Sequence, residues 1–206
     1  MMTLFDDKEL FTVGISSKKY IDLPDLELMH YDGFIARERA DEYYNSLLHT
    51  TPWCEYQMPM YDKIVTAPRM VAWYGTQEEV GENALPWTPE LLELRLRVEE
   101  ETGLVFNAVL LNLYRNGNDS VAWHSDKEHR IGSNPNIASV TFGQTRPFKF
   151  RHKTNKAIAQ VEIPLHHGTL LLMSGTTNTF WEHHIPKSAK EMLPRINLTF
   201  RQVKQL

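Results

Sequence analysis

A mainly β, α+β fold of the jelly-roll class, a double-layered antiparallel barrel, is what this sequence predicts. Three observations predict it. Residues 105–203 break into short apolar-rich runs separated by turn residues such as Asn116-Gly117-Asn118-Asp119, Gly132-Ser133-Asn134-Pro135 and Ser174-Gly175. The last run alternates without a break: Arg195, Asn197, Thr199 and Arg201 fall on one face, Ile196, Leu198 and Phe200 on the other. Helical periodicity is confined to the first half. At 206 residues the chain is long enough for one domain with a full core.

Taken in order, residues 1–32 read as irregular or short-strand structure, rich in aspartate. Residues 34–49 place Phe34, Ile35, Tyr43, Tyr44, Leu47 and Leu48 at helical spacing, ended near Thr50-Thr51-Pro52. A second helix is capped by Thr88, carries Pro89 at its first position and stops at Gly103. Strands are predicted at 105–114, 120–124, 137–142, 147–152, 158–163, 169–174, 179–184 and 195–203. Residues 1–103 are read as an extension with buttressing helices and a lid, residues 104–206 as the catalytic core of one continuous domain.

The single cysteine, Cys54, excludes an internal disulfide framework and suits a reducing compartment. No apolar run approaches the ~20 residues of a membrane span, and Met1 to Asp7 lack signal-peptide regions. A cytoplasmic location, or a nuclear one in a eukaryote, is expected, with no membrane partner. Net charge is −4 but unevenly spread: residues 1–103 hold 9 Lys+Arg against 20 Asp+Glu, residues 104–206 hold 13 against 6, a +7 half able to steer a polyanion.

The chemistry centres on Trp123-His124-Ser125-Asp126. His124 and Asp126 are two apart, so on an extended strand they share a face. A second histidine from Trp181-Glu182-His183-His184-Ile185-Pro186 would complete two histidines and a carboxylate around a metal with positions left open, as in non-haem Fe(II) oxygenases. His183 and His184 point opposite ways on a strand, so one is the ligand, and spacing alone leaves the choice open. The polar face of 195–201 adds two arginines, whose planar forks pair with carboxylates. Either motif alone also reads as a solvated turn or a strand with one wet face; together they predict a dicarboxylate beside a metal.

Asn112-Leu113-Tyr114-Arg115-Asn116, Asp119-Ser120-Val121, Trp123-His124-Ser125-Asp126 and Pro194-Arg195-x-Asn197-Leu198-Thr199-Phe200-Arg201 together resemble the AlkB family of Fe(II)/2-oxoglutarate dioxygenases. Ala138 to Gly143, Pro164 to Leu171, and Pro68-Arg69-x-x-Ala72-Trp73-Tyr74-Gly75 extend the resemblance over roughly residues 60–203, the last stretch being similar to that family's nucleotide-recognition lid. The resemblance implies a double-stranded β-helix with buttressing helices. It implies Fe(II) on His124, Asp126 and His183, the family's Trp-x-His-x-x-Pro pattern selecting His183. It implies 2-oxoglutarate on Asn112, Tyr114, Arg195, Asn197 and Arg201, with Arg195 and Tyr114 at the distal carboxylate and Arg201 near the chelating end. It also implies O2 as the oxidant and the loss of an N-methyl group on a base as formaldehyde.

For the substrate, DNA with RNA as an alternative, the resemblance implies roles for Tyr61, Arg69 and Glu128. A basic run of Arg146, Arg151, Lys153 and Lys156 is expected to track phosphates, with a solvated basic face as the competing account. Two departures from the family pattern bear on specificity. Residues 76–85 are acidic and lack the aromatic step that lines the base pocket in relatives. Lys187-Ser188-Ala189-Lys190 lacks the denser basic triplet that grips a complementary strand. Single-stranded substrates carrying 1-methyladenine or 3-methylcytosine, and a monomer, are the expectation. Oxygenation of RNA modifications or protein side chains, and a modified-base binding module without strong catalysis, are the alternatives.

Overall fold

The computed structural model describes residues 11–12, 14–60, 63–126 and 131–204. Among them are twelve strands: β1 (Ser17–Leu23), β2 (Leu26–Asp32), β3 (Cys54–Met60), β4 (Lys63–Gly75), β5 (Ala108–Tyr114), β6 (Val121–His124), β7 (Ile137–Gly143), β8 (Arg146–His152), β9 (Val161–Leu165), β10 (Thr169–Ser174), β11 (Trp181–Ile185) and β12 (Arg195–Arg201). Helices among the described residues include α1 (Arg37–Thr50), α2 (Gln77–Val80), α3 (Pro89–Thr102) and α4 (Thr177–Phe180). An eight-stranded sheet runs β1-β2-β10-β7-β12-β5-β4-β3 and a four-stranded sheet runs β6-β11-β8-β9, every pairing antiparallel.

Two cores follow from strand alternation. Outward-facing Val109, Leu111 and Leu113 of β5 and Ile196, Leu198 and Phe200 of β12 meet Tyr43, Tyr44 and Leu47 of α1 and Leu91, Leu94 and Val98 of α3. Full burial of each such aliphatic side chain stabilises by about 1.5–3 kcal/mol. The second core lies between the sheets, from Leu26, Leu28, Leu171 and Met173 on one side to Phe148, Phe150, Ile163 and Trp181 on the other. The middle of the large sheet is thus covered on both faces, and the polar residues Asn112, Thr141, Arg195, Asn197 and Thr199 on its inner face are buried.

The caps of α3 stand as its sequence predicts. Thr88 Oγ1 accepts from Leu91 N, and Gly103 takes the left-handed conformation at φ 69°. Four strands of the large sheet, β1 to β4, come from the half read as extension and lid. The division at residue 103 is crossed by a continuous ladder, since β4 pairs with β5 from Met70↔Leu113 to Gly75↔Ala108. The acidic stretch after β4 forms the short α2 and folds back, with Gly75 N–H donating to Leu85 O and Leu85 N–H to Trp73 O. Val80 and Ala84 fill a small apolar cluster there with Trp73 and Val203. No helix among the described residues is long and apolar enough to cross a membrane.

Candidate active site

Antiparallel pairing carries His124 to His183. The two are direct partners on β6 and β11, with ring centroids 4.4 Å apart and edge to face. The register slips between His183 and Ile185: Ile185 pairs with Val121, so β6 holds one extra residue. Such bulges re-aim side chains at site edges. Asp126 lies two residues past the end of β6. One ligand atom from each of His124, Asp126 and His183 lies within 4.8 Å of the other two, and no other such cluster exists among the described residues.

His124 donates its Nδ1–H to Ala122 O at 2.8 Å, which leaves Nε2 for a metal. Burial, with His124 adding to it, lowers the His183 pKa to about 3, so the ring is neutral and available as a ligand. Burial alone would raise the Asp126 carboxyl, but Arg201, His183 and His124 hold it below the usual carboxylate range. Arg201 Nη2 donates to Asp126 Oδ1 at 2.7 Å. His184 faces away from this cluster and stacks on Trp123 at 3.8 Å.

On the strand that carries Arg201, β5 and β12 pair Arg195 with Tyr114 and Asn197 with Asn112, and residues paired directly share a face. Arg195 is 1% exposed, its guanidinium lying over the Tyr114 ring at 5.2 Å. Its Nη2 donates to Thr141 Oγ1 and Asn197 Oδ1, and Asn197 Nδ2 donates to Thr199 Oγ1. Burial lowers the Arg195 pKa to about 10, still charged at neutral pH.

Asp126 Oδ2, Arg195 Nε and Nη1, and Arg201 Nε are buried without a hydrogen-bond partner among the described residues. A buried donor left unmade costs about 1–3 kcal/mol. Arg201, beside the half-satisfied carboxylate, and Arg195, farther along the same face of β12, present three such donors, which fit an anion and a cation bound together. A divalent metal would take Asp126 Oδ2 and the two imidazoles; a dicarboxylate would take Arg195 and reach Arg201. The donor set therefore fits Fe(II) and 2-oxoglutarate.

The residues expected at the substrate divide. Arg69 donates Nε–H to Asn112 Oδ1 at 2.8 Å, which ties the lid strand to the polar row. Register places Arg69, Val71 and Trp73 on the site-facing side of β4, since Val71 pairs with Asn112. Tyr61 and Glu128 lie outside the described residues. Arg151 is on the outer face of β8, paired with Glu182 Oε2 and lying 4.3 Å from the Trp123 ring.

Arg146 and Lys153 correct the expectation of a phosphate-tracking run. Arg146 shares the inward parity of Phe148 and Phe150, is 1% exposed, and donates to the carbonyls of Asn116, Asp119 and Pro186. It staples three chain segments. Lys153 donates to the carbonyls of Asn178 and Thr179, at 3.0 and 2.6 Å, and so closes the end of α4. Strand alternation separates Arg146 from Arg151, and Lys153 lies beyond the strand. Thr141 and Asn178 are both buried in the site's supporting network; Thr141 lies within the Ala138 to Gly143 stretch of the resemblance, which gives it no role, and Asn178 is marked by no sequence motif.

Residues 27–201 match the family described as the 2OG-Fe(II) oxygenase superfamily. The alpha-ketoglutarate-dependent dioxygenase alkB homolog 3 of Homo sapiens is 42% identical over 84% of this chain, and that of Bos taurus 43% over 83%. The chain belongs to the AlkB family. The DNA oxidative demethylase ALKBH2 of Homo sapiens is 35% identical over 84% of this AlkB-family chain, which covers 72% of that relative. The chain spans 65% and 64% of the length of the human and bovine alkB homolog 3 proteins. The solved structure described as "The structure of OsALKBH1" superposes with a TM-score of 0.66 at 16% identity, covering 90% of this chain and all of that one. That likeness shows the fold, the double-stranded β-helix of this AlkB-family chain.

Proposed function

We propose that this chain is an Fe(II)- and 2-oxoglutarate-dependent dioxygenase that removes methyl groups from N-alkylated bases, 1-methyladenine and 3-methylcytosine, in DNA. Single-stranded DNA is the preferred substrate, with RNA as a secondary one. The observation that carries this reading is the convergence of His124, Asp126 and His183 within 4.8 Å beside buried arginines whose donors are unmade. The substrate class rests on the relatives: the human ALKBH2 is named a DNA oxidative demethylase, and the human and bovine alkB homolog 3 proteins are named alpha-ketoglutarate-dependent dioxygenases.

His124 and His183 would hold Fe(II) through neutral rings, and Asp126 would supply the anionic ligand. Arg195 would clamp the distal carboxylate of 2-oxoglutarate over Tyr114, with Asn112 and Asn197 lining the same face. Arg201 would balance charge on Asp126 and at the chelating end of the co-substrate. Bound together, Fe(II) and 2-oxoglutarate supply an oxidation by O2 that yields succinate and CO2, and the hydroxylated N-methyl leaves as formaldehyde. No side chain need act as a general base for that step; the chain's task is to hold, orient and shield. A paired base must leave its stack to reach such a site, which favours unpaired strands. Arg69 and Trp73 on the lid strand would face the extruded base, and Arg151 would meet the strand's backbone. Tyr61 and Glu128 keep the roles the family resemblance implies.

The test is formaldehyde release from a single-stranded oligonucleotide carrying 3-methylcytosine, with Fe(II), 2-oxoglutarate and ascorbate. Turnover by the wild type and none by His183→Ala is the expected result. Equal, background-level release by both proteins, with 2-oxoglutarate still bound, would overturn the base-repair reading. Equal rates on matched single- and double-stranded oligonucleotides would remove the strand preference.

A further inference from the structure

We infer that Asn178 is the positioning residue of the metal-binding carboxylate, acting through the main chain of Asp126; this rests on the metal reading above. Strand β6 ends at His124, and Asp126 stands two residues farther on, where no neighbouring strand pairs with it. Its backbone N–H and C=O must still be satisfied. The Asn178 carboxamide satisfies both: Oδ1 accepts from Asp126 N at 2.9 Å, and Nδ2 donates to Asp126 O at 3.1 Å. A planar amide that meets both the N–H and the C=O of one residue reproduces the paired hydrogen bonds of an antiparallel ladder, and so extends the sheet's hold by the two residues that the ligand needs.

The clip is itself rigid. Asn178 is 3% exposed and belongs to the single turn α4, which is pinned at every residue. Thr177 Oγ1 accepts from Glu27 N and donates to Glu27 O, at 2.8 and 3.2 Å. Thr179 Oγ1 donates to Asn134 Oδ1 at 2.8 Å, and Lys153 holds the carbonyls of Asn178 and Thr179. Ser125, the residue before the ligand, donates Oγ–H to Trp181 O at 2.8 Å. Since α4 runs directly into β11, the turn that fixes Asp126 is covalently joined to the strand that presents His183. With Arg201 on Oδ1 and the backbone held by Asn178, Oδ2 is the Asp126 carboxylate oxygen left without a partner among the described residues. Asn178 touches neither imidazole in any hydrogen bond; its effect passes through the carboxylate.

The experiment measures Co(II) affinity of the full chain by calorimetry, without co-substrate or oligonucleotide, together with the visible Co(II) spectrum and the metal-free melting temperature. Loss of an outer partner of a ligand weakens metal binding by roughly 10–100-fold. Asn178→Ala is expected to lose affinity in that range and to shift the spectrum, Lys153→Met to lose less, and His183→Ala to lose most. An Asn178→Ala protein that melts lower yet binds Co(II) within twofold of the wild type, with an unchanged spectrum, would make Asn178 merely structural and overturn the inference. Should that variant not fold, the isosteric Asn178→Asp decides: it keeps the acceptor for Asp126 N but sets a carboxylate oxygen against Asp126 O, and unchanged affinity there overturns the inference equally. Wild-type and His183→Ala proteins that bind Co(II) alike would sink the metal reading itself, which separates the two failures.

Discussion

Arg195 and Arg201 share one face of β12 and differ in what they have left to bind. Arg201 is already engaged with Asp126, whereas Arg195 keeps two buried donors unmade. Arg195→Met is therefore expected to weaken 2-oxoglutarate binding at least ~30-fold, since truncating one partner of a buried charged pair costs about 2–5 kcal/mol. Co(II) binding should stay within a few fold of the wild type, because Arg195 makes no hydrogen bond to the metal cluster; calorimetric titration of each ligand checks both. A comparable loss of both ligands would mean that Arg195 serves the fold and not the co-substrate. The polar row was legible as an inward face because its residues share one parity and two are arginines. Arg146 was not, although the same rule applied to it: counting along β8 puts Arg146 with Phe148 and Phe150 and opposite Arg151. A basic cluster in sequence became one inward staple and one outward ion pair because the strand alternates.

Elements were legible where their signals are local. The α3 cap and stop are side-chain and backbone chemistry within a turn, and Thr88→Ala should cost about 1 kcal/mol in urea denaturation. Gly143 carries a heavier constraint. It pairs with Arg195, sits at φ 89°, and an added Cβ would lie 2.5 Å from Pro194 O. Gly143→Ala should cost more than the cap change, about 1–3 kcal/mol, and should weaken 2-oxoglutarate binding as well, a pairing of effects that Thr88→Ala should not show. Strands β1 and β3 gave little sequence signal because they form the two edges of the large sheet and much of their surface faces solvent, as at Lys19, Tyr20 and Tyr56. An edge strand needs no clean alternation. Helix α4 was hidden for another reason: a single turn has no periodicity, and Asn178 acquires its role only from Asp126, 52 residues away.

For the molecule as a whole, charge and buried histidines set the response to solution conditions. The four-stranded sheet is built entirely from the basic half and carries Lys149 and Arg151 outward. Oligonucleotide affinity should fall as salt rises, with a log–log slope that Arg151→Ala reduces by about one; an unchanged slope would remove Arg151 from the backbone contacts. Burial lowers the pKa of His30 and of His167, whose Nδ1 accepts from Gly143 N and whose ring is fully buried. The unfolded chain therefore binds these protons first as pH falls, near the ordinary value of about 6.5. Stability of the metal-free protein should be level above neutrality and decline below it, by at most ~1.4 kcal/mol per pH unit for each histidine. Urea denaturation at pH 7.5 and 5.5 checks this, and His167→Gln should narrow the difference; an equal drop in that variant would assign the sensitivity elsewhere. The sequence by itself determined the β class, the ligand types and the polar face of β12, because each follows from short-range spacing or strand parity. Tertiary structure alone decided how close His124, Asp126 and His183 come, which arginines are buried, and that a distant asparagine holds Asp126. Those are facts of register and burial between segments far apart in the chain, and the periodicity of one segment carries no record of what lies across from it.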